Sequence, residues 1–260
     1  MPNVAEPIEP PDPAEAEATI RELDAQLQTS RAPSERAGVH LQKAVLLGLL
    51  RRFGDSRREL RLAHEAAPHE RQVLISHDFI SAGLLHEEGN LQGAFSQYSG
   101  LLQKWSDELK KPEYRFMFED VQTHRAFEAA DLRDTDTAIP LLQEILEFTL
   151  LPERRAWALA QLGVCLFQTR KYQEAKNRLT QSLTFEQPLH WEGHLHFCLA
   201  LTYAHLKQLT EAKKELLLCE QRCLEWGLSI KNIYGWLSRI CGHLGETDQS
   251  KEYERLARGD

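Results

Sequence analysis

Leucine-rich segments alternate with two kinds of punctuation along almost the whole chain, and this alternation limits the fold more than any other feature. Turn signals stand at Gly54-Asp55, Gly89-Asn90, Asp134-Thr135-Asp136, Arg170-Lys171, Lys207-Gln208 and Gly245-Glu246, whereas Pro68, Pro112, Pro152 and Pro188 fall between the segment pairs so delimited. Proline cannot continue a helix and is tolerated at a boundary or first turn, so the pattern reads as helix, short turn, helix, proline, repeated. The apolar residues suit this reading: leucine occurs 41 times, valine and isoleucine together only 15 times. A chain poor in β-branched residues does not build a sandwich or a doubly wound sheet, and the expected class is all-α.

The clearest unit runs from Ala158 to Ala175, followed by Leu179 and Ser182-Leu183. Its Leu162-Gly163, Tyr172 and Glu174-Ala175 resemble the tetratricopeptide repeat: a leucine and small residue in the first helix, an aromatic opening the second, then an acid and a close-packed alanine. Leu199-Ala200, Tyr203, Leu209, Glu211-Ala212 and Leu216 repeat the set. Aligned on the small residue of the second helix, the series is Glu59, Ala94, Ala138, Ala175, Ala212 and Ser250, at separations of 35, 44, 37, 37 and 38 residues. The family period is about 34, so the repeats are degenerate and lengthened. The resemblance implies a right-handed α-α superhelix of about six helical hairpins over 34–260. A lone hairpin cannot bury its apolar stripe, so each must lean on the next.

Upstream, five of the eleven prolines fall within the first thirteen residues, and residues 1–12 read as a disordered acidic arm. Asp12, Pro13 and Glu15 form a helix-start signal, and Ile20, Leu23 and Leu27 at helical spacing place a helix and link over 13–33. The net charge is −8, which disfavours direct nucleic-acid binding. The longest apolar stretch, 44–50, is far below the roughly 20 residues of a membrane span, and the N-terminus lacks the basic and apolar regions of a secretory signal. All five cysteines follow residue 160 in apolar surroundings, as expected of buried thiols in a cytoplasmic protein.

No phosphate-binding glycine loop, nucleophile elbow, H-E-x-x-H helix or paired C-x-x-C is present, and no cofactor is expected. His190, His194 and Cys198 share one helix face and form a zinc arrangement only if Cys219 or Cys223 approaches; core packing is the expected role of these cysteines. Arg51, Arg52, Arg57, Arg58 and Arg61 make a basic patch, read as a solvated helix face, a docking site for an acidic segment or phosphate, or a partner of the acidic arm.

In the resembled family the first helices line a groove that binds peptides. Carried over by position, that groove holds Phe79, His86, Phe127, Trp157, Val164, Phe167, His194, Phe197, Leu201, His205, Arg239 and His243. Aromatics at such spacing serve equally well as inter-repeat core. A heat-shock chaperone tail is not expected, because Ala44, Gly48, Phe79, Gly83 and Thr123 stand where a carboxylate clamp needs cations and amides. The expected function is a protein- or peptide-binding scaffold. A sensor whose stack responds to a peptide or small molecule is the alternative, and an enzyme using His194, His205 or His243 is the third reading.

Overall fold

Every link between a first and second helix turns on the same device, and that device sets the repeat. A computed structural model describes residues 12–186 and 189–259. The arm up to residue 11, Pro188 and the side chain of His190 lie outside the described residues. The described residues form fourteen α-helices and one 3-10 turn, with no strand among them, and the chain divides into two compact units, Met1–Leu132 and Arg133–Asp260.

The first unit opens with α1 (Pro13–Thr29), whose first turn is capped by the Asp12 carboxylate accepting from the Ala14 N–H at 2.9 Å. Ala16, Ile20 and Leu23 are its buried face, packed on α2 (Pro33–Leu49). Then α2 pairs with α3 (Phe53–Ala66), and α4 (Arg71–Glu87) with α5 (Leu91–Lys104). A short α6 (Ser106–Leu109) and a 3-10 turn (Pro112–Tyr114) lead into α7 (Arg115–Asp131). The second unit holds α8 (Thr135–Phe148), the hairpins α9 (Pro152–Gln168) with α10 (Tyr172–Ser182) and α11 (Leu189–His205) with α12 (Leu209–Glu225), and finally α13 (Lys231–Leu244) with α14 (Thr247–Arg258). The third repeat of the sequence is thus shared, α7 belonging to one unit and α8 to the other.

Helices α2, α4, α7, α9 and α11 each have 17 residues and each is followed by a three-residue link. The middle residue of the link is left-handed: Arg51 (φ 58°), Gly89 (79°), Arg133 (60°), Arg170 (61°) and Lys207 (63°). The next amide then reaches back over the helix end, as where the Arg52 N–H donates to the Leu47 carbonyl at 2.8 Å and the Lys171 N–H to the Leu166 carbonyl at 2.9 Å. This closes the orphan carbonyls of the last turn. Four of these five positions carry arginine or lysine, which costs about 1 kcal/mol each relative to glycine and hides the turn from a search for glycine.

The device corrects the first repeat. Its turn is Leu50–Arg52, and Gly54-Asp55 lie inside the first turn of α3. The small residue of α3 is therefore Ser56, fully buried, and not Glu59. With Ser56 in place the series becomes 56, 94, 138, 175, 212 and 250, spaced 38, 44, 37, 37 and 38. The 44-residue interval is the one that contains α6 and the 3-10 turn. Twelve residues before each of these stands the small residue of the first helix: Ala44, Ala82, Ala126, Gly163, Ala200 and Ser238. The two serine repeats compensate alike, Ser56 Oγ donating to the Ala44 carbonyl at 2.6 Å and Ser250 Oγ to the Ser238 carbonyl at 2.8 Å.

Core forms where a hairpin meets the next first helix. In the first unit Ile75, Ala82, Ala94, Tyr98, Leu101, Leu109 and Val121 make one cluster, and α6 contributes Leu109 to it. In the second, Ala200, Ala212, Leu216 and Cys219 meet Ile233, Leu237 and Ile240 of α13.

Glu59 has a different task. Its Oε2 lies 2.6 Å from His40 Nδ1 and its Oε1 accepts from Lys43 Nζ at 2.9 Å; Lys43 also donates to Asp24 Oδ1 of α1 at 2.7 Å. Glu59, His40 and Lys43 are all buried, so this network fastens α1 to the first hairpin. Arg52 adds a second tie, from its Nη1 to Glu17 Oε1 at 2.8 Å.

Candidate binding faces

The repeat register says which side chains stand in line on successive first helices. In the second unit, the residue after the small position is Val164 on α9, Leu201 on α11 and Arg239 on α13; five residues after it come Gln168, His205 and His243; six residues before it come Trp157 and His194. Leu201 is buried, whereas Val164, Phe167, His194, Phe197 and Trp157 are half-buried and His205, Arg239 and His243 are exposed.

Two ring groups occupy this face. Trp157 and Trp191 lie 5.6 Å apart between centroids, with His194 edge-on to Trp191 at 6.3 Å. Further along, His205 stacks on Tyr172 at 4.5 Å and 7°, and Phe167 meets both rings edge-on at 5.5 and 5.6 Å. Phe197 packs against the α11–α13 core, and the Arg239 guanidinium lies 5.3 Å from the Trp236 ring centroid, within cation–π range. Trp191, Tyr172 and Trp236 are absent from the sequence-derived set; only the aromatic content of these segments hinted at them.

In the first unit, Phe127 is core at 4% exposure. Phe79 and His86 of α4 are half-buried, and a chain of rings joins them: Phe79 to His124 at 6.3 Å, His124 stacked on Tyr98 at 5.3 Å and 9°, His86 to His124 at 6.2 Å. His86 Nδ1 lies 2.6 Å from Oε1 of Glu128, itself only 1% exposed. That bond raises the His86 pKa above its ordinary 6.5, against the burial that lowers it. Burial, reinforced by the charge of Glu128, pushes Asp131 up to about 6.

The five arginines of the basic patch have different surroundings. Arg51 occupies the left-handed turn; Arg52 is engaged by Glu17 and Asp55; Arg57 pairs with Glu88 at the end of α4; Arg58 is exposed; and Arg61, with Arg57, lines a cavity bounded by α3, α4 and α5.

The histidines considered for chemistry are dispersed. His194 and His205 are eleven residues apart on one helix, about 16 Å along its axis. Burial lowers the His194 pKa and raises that of Cys198 to about 12, and the two side chains lie 3.5 Å apart. Cys219 and Cys223 lie 3.9 Å apart on α12. Among the described residues no group of three or more His, Cys, Asp or Glu side chains is placed to hold a metal ion, and no described helix is long and apolar enough to cross a membrane.

No protein-family model matches the chain, and no curated protein sequence matches it. Solved structures do. The apo form of RapI superposes with a TM-score of 0.73 at 14% identity, covering 94% of this chain and 70% of RapI. PilF of Pseudomonas aeruginosa gives 0.64 at 18% identity, covering 88% and 96%. The C-terminal part of a TPR repeat-containing protein from Cytophaga hutchinsonii gives 0.62 at 13% identity, covering 94% and 88%. With these likenesses, the three-residue left-handed turns and the twelve-residue pairing of small side chains, the chain has the fold of tetratricopeptide-repeat proteins in a degenerate, lengthened form.

Proposed function

We propose that the chain binds a protein or peptide along the first-helix face of its repeats, as an adaptor or assembly scaffold. The observation that carries this reading is the register of the second unit, where Val164, Leu201 and Arg239, and likewise Gln168, His205 and His243, recur at matched positions on α9, α11 and α13. An exposed Arg239, His205 and His243 beside half-buried Trp157, Phe167 and Phe197 combines polar handles with aromatic area, a composition suited to recognition. Among proteins of this fold, one Rap protein is described as complexed with Competence and Sporulation Factor and NprR as a quorum sensor, which gives support to a peptide-class partner and to the sensor alternative alike.

The half-buried Trp157, Phe167 and Phe197 act as the floor of such a site, and the exposed Arg239, His205 and His243 make the discriminating contacts. No catalytic role is assigned. Direct nucleic-acid binding is disfavoured by the net charge of −8. The heat-shock chaperone tail is not a proposed partner. With the first repeat in its corrected register, Leu41 and Val45 replace Ala44 and Gly48 at the places compared with a carboxylate clamp, and they too are neither cations nor amides. The buried cysteines Cys165, Cys198, Cys219 and Cys241 favour a reducing, cytoplasmic setting.

The test is affinity capture from source lysate with the native chain, with Arg239→Glu combined with His205→Ala, and with Arg258→Glu as a control outside the face. A partner retained by the native and control chains and lost from the double variant supports the assignment; equal retention by all three refutes it. A scaffold keeps its hydrodynamic radius when the captured segment is added as a peptide, whereas a sensor changes it.

A further inference from the structure

A cavity of about 260 Å³ opens among α3, α4 and α5 of the first unit. Its cationic side is built on one face of α3, where Arg57 and Arg61 follow at a helical spacing of four residues. His64 continues that face, with its ring 5.8 Å from that of His77 on α4. His77, Ser81 one turn further along α4, and Gln97 of α5 supply the remaining polar lining, and Leu60, Leu84 and Leu85 supply the apolar lining. Arg57 is paired with Glu88, while Arg61 has no carboxylate partner among the described residues. The repeat fold does not require this arrangement: the matched second-helix positions of α10 and α12 hold Lys176 and Lys213 for Arg57 and Thr180 and Leu217 for Arg61.

We propose that this cavity is a binding site for a phosphate monoester. Arg57, Arg61, His77, Ser81 and Gln97 line one opening, and between them they carry two guanidinium forks, an imidazole whose Nδ1 lies 3.3 Å from Asp78 Oδ1, a hydroxyl and a carboxamide. They exceed what the two oxygens of a carboxylate can accept and match the three terminal oxygens of a phosphate, which arginine binds in bidentate fashion. The volume falls below the roughly 300–1,000 Å³ of pockets for drug-sized ligands but exceeds what a phosphate alone fills, and the leucines give the rest of the ligand an apolar wall. The ligand is therefore a phosphate carried on a short organic group, either a phosphorylated side chain or a small free ester. Its binding to Arg57 competes with Glu88, the carboxylate paired with that guanidinium. This site belongs to the first unit and does not depend on the partner assigned to the first-helix face of the second.

The experiment is a titration of the full chain followed by NMR of the arginine Nε–H and glutamine side-chain amide signals. The probes are capped O-phosphoserine, glycerol 3-phosphate, inorganic phosphate and capped glutamate. Saturable shifts of Arg57, Arg61 and Gln97 with one or both esters are expected, the tighter ester naming the source. Arg61→Gln and Arg61→Lys should each weaken binding by roughly tenfold or more, because lysine keeps the charge but loses the fork, and Arg58→Gln should leave it unchanged. Arg58 and Arg61 are exposed, and unchanged circular dichroism melts verify the fold of the variants. Non-saturating shifts with both esters, equal weakening by Arg58→Gln, full retention in Arg61→Lys, or capped glutamate binding as tightly as the esters would each overturn the proposal. Inorganic phosphate binding as tightly as both esters would overturn the role given to the leucines.

Discussion

Gly163→Ala sets two well-defined effects against each other, and its sign tests the close helix approach on which the repeats depend. A Cβ built at Gly163 meets Leu179 Cγ at 2.7 Å, Leu179 Cδ2 at 2.8 Å and the Leu179 backbone N at 3.2 Å. Leu179 is fully buried, so its side chain has no solvent to swing into and the α10 backbone must give way as well. Overpacking of this kind costs about 2 kcal/mol, while replacing glycine by alanine within a helix returns about 1 kcal/mol. The expected net loss is about 1 kcal/mol, a drop in Tm of roughly 3–4 °C for a domain of this size. Urea unfolding followed by circular dichroism measures it. In a Leu179→Ala background the two closest atoms are gone, and the same Gly163→Ala change should become neutral or stabilising, with a coupling of about 1–2 kcal/mol. Stabilisation by Gly163→Ala alone in the native background, as helix propensity by itself demands, refutes the reasoning.

Glu59→Ala should destabilise the chain by about 3 kcal/mol in urea unfolding, because it removes the buried carboxylate that His40 and Lys43 share and leaves the Lys43 ammonium without one of its two partners; a loss under half that size counts against the network. Ser56→Val should cost more than Ser56→Ala, which itself should cost about 1 kcal/mol for the lost bond to the Ala44 carbonyl, and equal melts for all three chains would contradict the close approach of α2 and α3. Burial opposes ionisation of Asp78, but hydrogen bonds from His77, Lys104 and Trp105 outweigh it and hold its pKa below 3.8; its contribution is present above 3.8 and lost as pH falls further, so Asp78→Asn should flatten the acid limb of a plot of Tm against pH. His86 acts in the opposite sense: bonded to Glu128, its pKa is raised, so its contribution is complete below 6.5 and is lost as pH rises through the folded value. Asp131, raised from 3.8 to about 6, adds a decline between those values. Differential scanning calorimetry from pH 4 to 9 should therefore show a fall that His86→Gln confines to the range of Asp131.

The helices were legible in the sequence because their boundaries rest on local chemistry: Asp12-Pro13 opens α1 and Pro152 opens α9. The second-helix alanines at 94, 138, 175 and 212 were legible because alanine at a close approach is the family residue. Ser56 was not, since a serine can occupy the same space only by bonding the facing carbonyl, and that bond is invisible until α2 and α3 are placed together. The neighbouring Gly54-Asp55 imitates a turn, while the true turn at Arg51 carries its left-handed conformation on an arginine. The aromatic face was only half legible. Spacing located Trp157, Phe167 and His205, but Tyr172 and Trp191, against which they pack, come from neighbouring helices, and no single-helix pattern announces a ring contact between helices.

Each unit carries, within itself, the same histidine–glutamate pair, which no single repeat makes readable. His40 lies four residues before the small residue of α2 and Glu59 three after that of α3; His196 and Glu215 hold the same places in α11 and α12. Both pairs meet at 2.6 Å between Nδ1 and Oε2, with all four side chains largely withdrawn from solvent. A buried pair of this kind adds little net stability, because desolvation offsets most of the attraction. Its consequence is for register. Around the close approach the interface between first and second helix is mostly alanine, serine, glycine and leucine, and a slip of the first helix by one turn exchanges one small residue for another, Gly48 for Ala44 or Ala204 for Ala200. With the clasp present, the same slip leaves a carboxylate buried without its partner, a penalty of about 3 kcal/mol or more. The Gly163 hairpin lacks the clasp and has leucine and arginine at those two places, Leu159 and Arg178. There the tight seating of Leu179 against a residue without a Cβ performs the same discrimination by shape.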